Sequence, residues 1–208
     1  MKIERLVVGQ LKTNCYLAYC SETQEAVIID PGDDADFIIR KIQDLQLKPK
    51  FIIATHGHFD HVLAITELKL IFKIAFLMNK KDLFLIKRAD KTAQYFTGAV
   101  DVLAIPPDKN LIEGEKIVFG RQKLKVIETP GHTPGSISLY AFGKPGILFS
   151  GDTLFAQGLG RTDFAYASST EIEKSLKKLL ALPSKTRVFP GHGPETTIGK
   201  EKKFKFEV

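Results

Sequence analysis

A mixed α/β fold, of the α+β kind, is predicted for this chain by three observations. Runs rich in β-branched and aromatic residues occur in both halves, and stretches with helical periodicity lie between them. Nothing in the 208 residues reads as a linker, a repeat or a low-complexity segment, so residues 1–208 are expected to form one domain.

The expected strands are Ile3–Val8, Asn14–Tyr19, Ala26–Asp30, Phe51–Thr55, Lys116–Phe119, Lys123–Glu128, Ser136–Ala141, Ile147–Ser150 and Arg187–Phe189. A helix is expected over Asp34–Gln46, where Phe37, Ile38, Ile42 and Leu45 fall at helical spacing. A second is expected over Thr170–Leu180, with Ile172, Leu176, Leu179 and Leu180 on one side, Ser169 or Thr170 as cap, and Glu171 and Glu173 in the first turn. Stretches His61–Lys69 and Lys81–Lys87 also read as helices. The apolar runs Phe76-Leu77-Met78 and Tyr95-Phe96 are assigned to the core rather than to an interface, and the oligomeric state is left open.

Composition excludes several classes. The 44% hydrophobic and 26% charged content is that of an ordinary globular protein. The longest apolar tract, Leu63 to Met78, is interrupted by Glu67, Lys69 and Lys73, so no membrane span is expected. The first nine residues mix Lys2, Glu4 and Arg5 with apolar ones and contain no signal-peptide core. Only Cys15 and Cys20 are present, without CxxC spacing, which argues against a disulfide scaffold or thiolate metal site and points to a reducing cytoplasm. The net charge of +6 arises from lysines scattered through helices and the segment Lys200–Lys205 without interleaved aromatics, so it reads as a solvated face and no nucleic-acid partner is expected.

The chemistry is concentrated in the five histidines. All fall in short Gly- or Asp-flanked segments after strand-like runs: Thr55-His56-Gly57-His58-Phe59-Asp60-His61, Gly131-His132-Thr133-Pro134-Gly135 and Gly191-His192-Gly193. Imidazole is the commonest protein ligand for zinc-like metals, and an HxHxDH loop projects several donors into one small volume. A lone histidine beside glycine is usually a surface or hydrogen-bonding residue. Three histidines and an aspartate within six residues are different, because burying them unpaired costs about 2–7 kcal/mol for each neutral polar group. One metal cannot use every donor. A first would take His56, His58 and His132, and a second Asp60, His61 and His192. Asp152, at the end of Ile147-Leu148-Phe149-Ser150-Gly151-Asp152, is the carboxylate available to bridge them. Asp30, before Pro31-Gly32, is at least as well read as a turn residue.

With these motifs in order, the chain resembles the metallo-β-lactamase-fold superfamily, and within it the short branch related to glyoxalase II (hydroxyacylglutathione hydrolase). The segments that carry the resemblance are Thr13–Leu17, Ile29–Gly32, Thr55–His61, Gly131–Ser136, Ser150–Phe155, Gly160–Phe164 and Pro190–Pro194. The resemblance implies a four-layer αββα sandwich with two divalent metal ions at one edge, zinc first, with iron or manganese as alternatives. It implies that His56, His58 and His132 hold one ion, that Asp60, His61 and His192 hold the other, and that Asp152 bridges, which makes Asp60 and Asp152 the carboxylates of the catalytic centre. It further implies hydrolysis of a small-molecule thioester such as an S-acylglutathione through a metal-bridging hydroxide. The additional C-terminal helical domain that supplies glutathione contacts in full-length glyoxalase II is not expected here. Arg161 is a candidate for holding a substrate carboxylate bidentately, with a structural pair to Asp163 as an equal alternative.

The competing activity is that of a mononuclear-iron persulfide dioxygenase, which shares the HxHxDH loop and a Gly-Arg-Thr-Asp-Phe-like segment but uses two histidines and an aspartate. The Thr153-Leu154-Phe155 continuation favours the hydrolase. A β-lactamase ranks lower, because neither an export signal nor a changed second-site ligand is seen. A non-enzymatic binding module ranks lowest, because it would require loss of one or more ligands and every expected donor is present.

Overall fold

The computed structural model describes residues 1–100 and 102–206. Its first sheet has the order β1 (Lys2–Val8), β2 (Thr13–Tyr19), β3 (Glu25–Ile29), β4 (Lys48–Ile53), β5 (Ala75–Met78) and β6 (Lys109–Asn110). The second consists of β7 (Lys116–Phe119), β8 (Gln122–Glu128), β9 (Ile137–Ala141) and β10 (Ile147–Gly151), extended beyond β10 by β13 (Arg187–Pro190) and β14 (Thr196–Thr197). A two-stranded hairpin, β11 (Leu154–Phe155) and β12 (Gly158–Leu159), follows β10. Among the described residues six α-helices complete the fold: α1 (Ala35–Asp44), α2 (Ile65–Phe72), α3 (Leu83–Ile86), α4 (Ala89–Thr97), α5 (Ser169–Leu180) and α6 (Ile198–Glu201).

Strand alternation sorts the side chains into layers. In β2, Cys15 and Leu17 join one apolar cluster while Tyr16 and Ala18 join another; in β3, Ala26 and Ile28 divide from Val27 and Ile29 in the same way. The first cluster contains Ile38 and Ile42 of α1, Ile65 and Leu68 of α2 and Ala93 of α4, so those helices cover the outer face of the first sheet. The second contains Val126, Leu139, Phe149 and Phe189 and fills the space between the sheets. On the far side, Leu148 and Val188 pack with Leu176 and Leu179 of α5 and with Ile198. The result is the expected αββα sandwich. Among the described residues no helix is long and apolar enough to cross a membrane.

Strand direction positions the site. β3 and β4 are parallel, as are β10 and β13, and β8 runs with β10 because both are antiparallel to β9. The segments after β3 and β4 therefore emerge at one end of the first sheet and those after β8, β10 and β13 at one end of the second, the strand ends at which α/β sheets characteristically bind ligands.

All nine expected strands form within a few residues of their expected ends, and both cysteines are free and buried. Several expectations need correction. The stretch His61–Lys69 is not one helix: a 3₁₀ turn, Phe59–His61, precedes α2, and Val62 N bonds Phe59 O while Ala64 N bonds Pro31 O. Lys81–Lys87 is likewise split, between the 3₁₀ turn Lys80–Asp82 and α3. α5 is capped by Ser168, whose hydroxyl accepts from Glu171 N, not by Ser169 or Thr170. Phe76, Leu77 and Met78 are buried in β5 as assigned, but Tyr95 and Phe96 on α4 are 83% and 55% exposed, because that helix buries only Ala89 and Ala93. Phe37 is also largely exposed, since α1 turns Ala35, Ile38, Ile39 and Ile42 inward.

Candidate metal centre

The loop after β4 begins with Thr55, held from both sides by a carboxylate. Asp30 accepts from Thr55 N at 2.6 Å and from the Thr55 hydroxyl at 2.8 Å, and that hydroxyl lies 3.2 Å from His56 Nδ1. This orients His56 so that its Nε2 stands 3.0 Å from His58 Nδ1. His132 Nε2 reaches the same His58 nitrogen at 3.0 Å, so three imidazole nitrogens converge. The outer nitrogens are spoken for: His132 Nδ1 donates to the Arg161 carbonyl at 2.8 Å, and His58 Nε2 lies 2.8 Å from the Tyr166 hydroxyl. Because the Arg161 carbonyl can only accept, the proton of His132 is fixed on Nδ1 and its Nε2 lone pair faces the cluster.

A second convergence lies beside it. His61 Nε2 is 3.2 Å from His192 Nε2, and Asp60 Oδ2 is 3.3 Å from His192 Nε2 and 3.7 Å from His61 Nε2. Thr13 donates its hydroxyl to Asp60 Oδ2 at 3.1 Å. The His192 loop is fastened to the first sheet: Asn14 Nδ2 donates to the carbonyls of Pro190 and Gly193, and the Tyr16 hydroxyl donates to Pro190 O at 2.6 Å.

Asp152 stands between the two groups. Its carboxylate lies 3.5 Å from His61 Nε2, 3.6 Å from His192 Nε2 and 3.7 Å from His132 Nε2. A register shift after Phe149 and a left-handed Gly151 deliver it there, and a side chain at Gly151 would meet the Thr55 hydroxyl at 2.5 Å. Gly191 is required for a similar reason, since a Cβ there would overlap Asp152 Oδ1.

The donor set suits divalent cations. The groups His56/His58/His132, His56/His61/Asp152 and Asp60/His61/His192 each bring their ligand atoms within 4.8 Å of one another. Buried Asp152 Oδ1 has no hydrogen-bond partner, nor has His61 Nδ1, which stands only 3.2 Å from Asp30 Oδ2. Buried polar atoms left in this way are costly unless an ion or water completes them. Electrostatics divides the histidines. Burial, with neighbouring His132 next, holds His58 down at about 3, and burial followed by the surrounding imidazoles holds His56 well below its ordinary value. Burial also opposes charge on His61, but the carboxylates of Asp152, Asp60 and Asp30 outweigh it and raise the group to about 10. His192 is raised too, burial being overcome by Asp60 and Asp152.

All seven donors named from the sequence are thus brought together. Arg161 lines the adjoining cavity, but its Nε and Nη2 both bond Asp163, each at 2.6 Å. Sequence reasoning missed Asp82. Fully buried, it accepts from Gly57 N at 2.9 Å, Gly135 N at 2.6 Å and the Thr133 hydroxyl at 2.6 Å, tying the loop of His56 and His58 to the loop of His132. Burial raises its carboxyl group above the ordinary range, against the pull of those hydrogen bonds. Asp30, at least as well read as a turn residue, is both: it has a positive φ and anchors Thr55. Tyr166 was also missed; its ring stacks on Phe164.

Comparison with known proteins places these features in context. The family model described as the metallo-beta-lactamase superfamily matches residues 8–192. The chain is similar to hydroxyacylglutathione hydrolase GloC of Haemophilus influenzae, 38% identical, with 98% of this chain and 96% of that protein covered. The crystal structure of BLEG-1 B3 metallo-beta-lactamase superposes with a TM-score of 0.89 at 37% identity over 97% of each chain. TTHA1623, in a di-iron-bound form, gives 0.86 at 37% identity, covering 96% of this chain and 97% of that one.

Proposed function

Because the chain belongs to the metallo-beta-lactamase superfamily, we propose that it is a metal-dependent thioester hydrolase of the glyoxalase II type, built to hold two divalent cations. His56, His58 and His132 would hold one and Asp60, His61 and His192 the other, with Asp152 shared. The observation that carries this reading is the position of Asp152, within 3.7 Å of both nitrogen groups and with one buried oxygen unpartnered. When bound, such a pair supplies Lewis acidity toward a carbonyl and water activated at neutral pH.

The chain's own residues prepare the centre for that chemistry. The Arg161 carbonyl fixes the His132 tautomer, Asp30 holds Thr55 against His56, and Thr13 steadies Asp60. A thiolate leaves without prior protonation, so no acid poised near neutral pH is demanded of the site. Tyr166, raised to about 12 by burial and then by Asp82, keeps its proton and serves His58 as an orienting partner. Nitrogen and oxygen donors suit zinc first and iron or manganese next. The similarity to a hydroxyacylglutathione hydrolase supports an acylglutathione or related thioester as substrate.

The test counts metal per chain beside hydrolysis of S-lactoylglutathione, a simple acyl thioester and a chromogenic β-lactam on the same sample. Two divalent ions with thioester cleavage are expected. Opening of the β-lactam alone, or one iron with oxygen consumption on glutathione persulfide and no hydrolysis, would overturn the proposal.

A further inference from the structure

The cavity beside the metal centre, about 180 Å³, is bounded at its base by His58, Asp60, His132 and Asp152. Its remaining walls are mainly apolar. Phe59 of the 3₁₀ turn and Phe96 of α4 form one stacked pair, 5.9 Å between ring centroids and 8° between planes. Phe164 and Tyr166, in the loop before α5, form another, at 5.3 Å and 16°. Phe164 lies over the first histidine group, 5.3 Å from the His58 ring and 6.0 Å from that of His132.

The polar lining residues outside the donor set already have partners. The Thr92 hydroxyl donates to Arg88 O, the Tyr166 hydroxyl is engaged with His58, and Arg161 forms a neutral bidentate pair with Asp163 while its guanidinium lies 4.4 Å above the Phe164 ring. No lining residue therefore presents an unpaired cation to a substrate carboxylate. Leu11 and Phe96, which line the cavity, are instead 43% and 55% exposed, and apolar surface of this kind next to a reactive centre marks a place where a ligand is buried.

From this accounting we infer that the cleft selects thioesters whose acyl group is apolar and about the size of one ring, with Phe96 as the selecting side chain. The inference rests on the thioesterase reading and narrows it. Size decides which part of the substrate enters: an apolar cavity of about 150 Å³ is enough to bind benzene, whereas a long polar thiol such as a tripeptide cannot be contained and must extend into solvent. Phe96 is suited to the part because it reaches the cavity from a helix that carries no metal donor, and Phe59 holds it by stacking next to Asp60.

The experiment compares kcat/KM of the metal-replete protein on acetyl, butanoyl, phenylacetyl and succinyl thioesters of one thiol, N-acetylcysteamine. Phenylacetyl should exceed acetyl by about tenfold or more, the scale on which an apolar pocket discriminates, and succinyl should be the poorest. Phe96→Ala should bring the phenylacetyl-to-acetyl ratio down to about threefold or less, with Phe96→Leu intermediate. Phe142→Ala, an exposed aromatic outside the cavity, should leave the ratio as it is. Equal rates on all four esters, a lead for succinyl, or an unchanged ratio in Phe96→Ala would overturn the selectivity alone. Hydrolysis of no thioester by protein carrying both metals would instead remove the reading beneath it.

Discussion

Asp82 accepts a 2.6 Å hydrogen bond from the Thr133 hydroxyl across 51 residues of sequence, and the same carboxylate takes the amides of Gly57 and Gly135. Both glycines are needed for its approach, since a Cβ on either would come within 3.0 Å of Asp82. Asp82→Ala strands three buried donors, each costing about 1–3 kcal/mol, and frees the two loops to drift apart. Partners of this rank around metal ligands are worth about 10–100-fold in affinity. A weaker first metal in a chelator competition, with a lowered melting temperature, is expected; wild-type affinity would refute the role.

Asp152→Ala removes the carboxylate that faces both donor groups. Metal content and turnover should fall together. Two bound ions with full turnover would contradict the assignment of Asp152.

The two donor groups should load with different proton release. His56 and His58 are neutral at pH 7 because burial first, and neighbouring imidazoles next, hold them down, so an ion there displaces no proton from them. His61, raised to about 10 by Asp152, Asp60 and Asp30 in spite of burial, is protonated. A metal binding at His61 must expel that proton, so its affinity should climb as pH rises toward about 10. The sign for stability in metal-free protein is the reverse. A raised folded-state value contributes stability that is full below the ordinary histidine value of about 6.5 and is lost as pH rises through about 10. Calorimetric metal titrations in buffers of different ionisation enthalpy will separate the events; equal release at both would count against this division.

Asp163→Ala releases Arg161, whose partner it is at two atoms. The pair is exposed and screened by solvent, so stability should change little, while kcat/KM on a succinyl thioester should rise about two- to fivefold. A flat response would mean that Arg161 does not reach the substrate in either state.

Asn14→Ala removes two hydrogen bonds to the loop of His192, leaving the Pro190 carbonyl to Tyr16 and the Gly193 carbonyl to Arg5. Occupancy of the second donor group should drop more than that of the first, read as metal per chain at limiting metal. Equal loss at both would show general unfolding instead.

The parts of this structure that sequence made legible are those with local causes. Runs rich in β-branched and aromatic residues announced the strands, and the clustering of every histidine announced the donors. What stayed hidden depends on distant partners. Asp82 follows two lysines and looks like a surface charge; only the approach of Gly57 and Gly135 gives it a purpose. β5 was masked because its apolar residues run on from those of α2. α4 carried no apolar stripe to find, since alanines face inward while Tyr95 and Phe96 are exposed, Phe96 at what becomes the wall of the cavity.

The anchoring of the His192 loop by Asn14 and Tyr16 also sets an order of events for a chain leaving the ribosome. His56, His58, Asp60 and His61 appear first, His132 and Asp152 later and His192 last, so the nascent chain offers an open, incomplete chelator for most of its synthesis. The donor set is complete only when strand β13 docks, with Asn14 donating to the carbonyls of Pro190 and Gly193 and Tyr16 to that of Pro190. Closure of the donor set is thus coupled to the docking of β13.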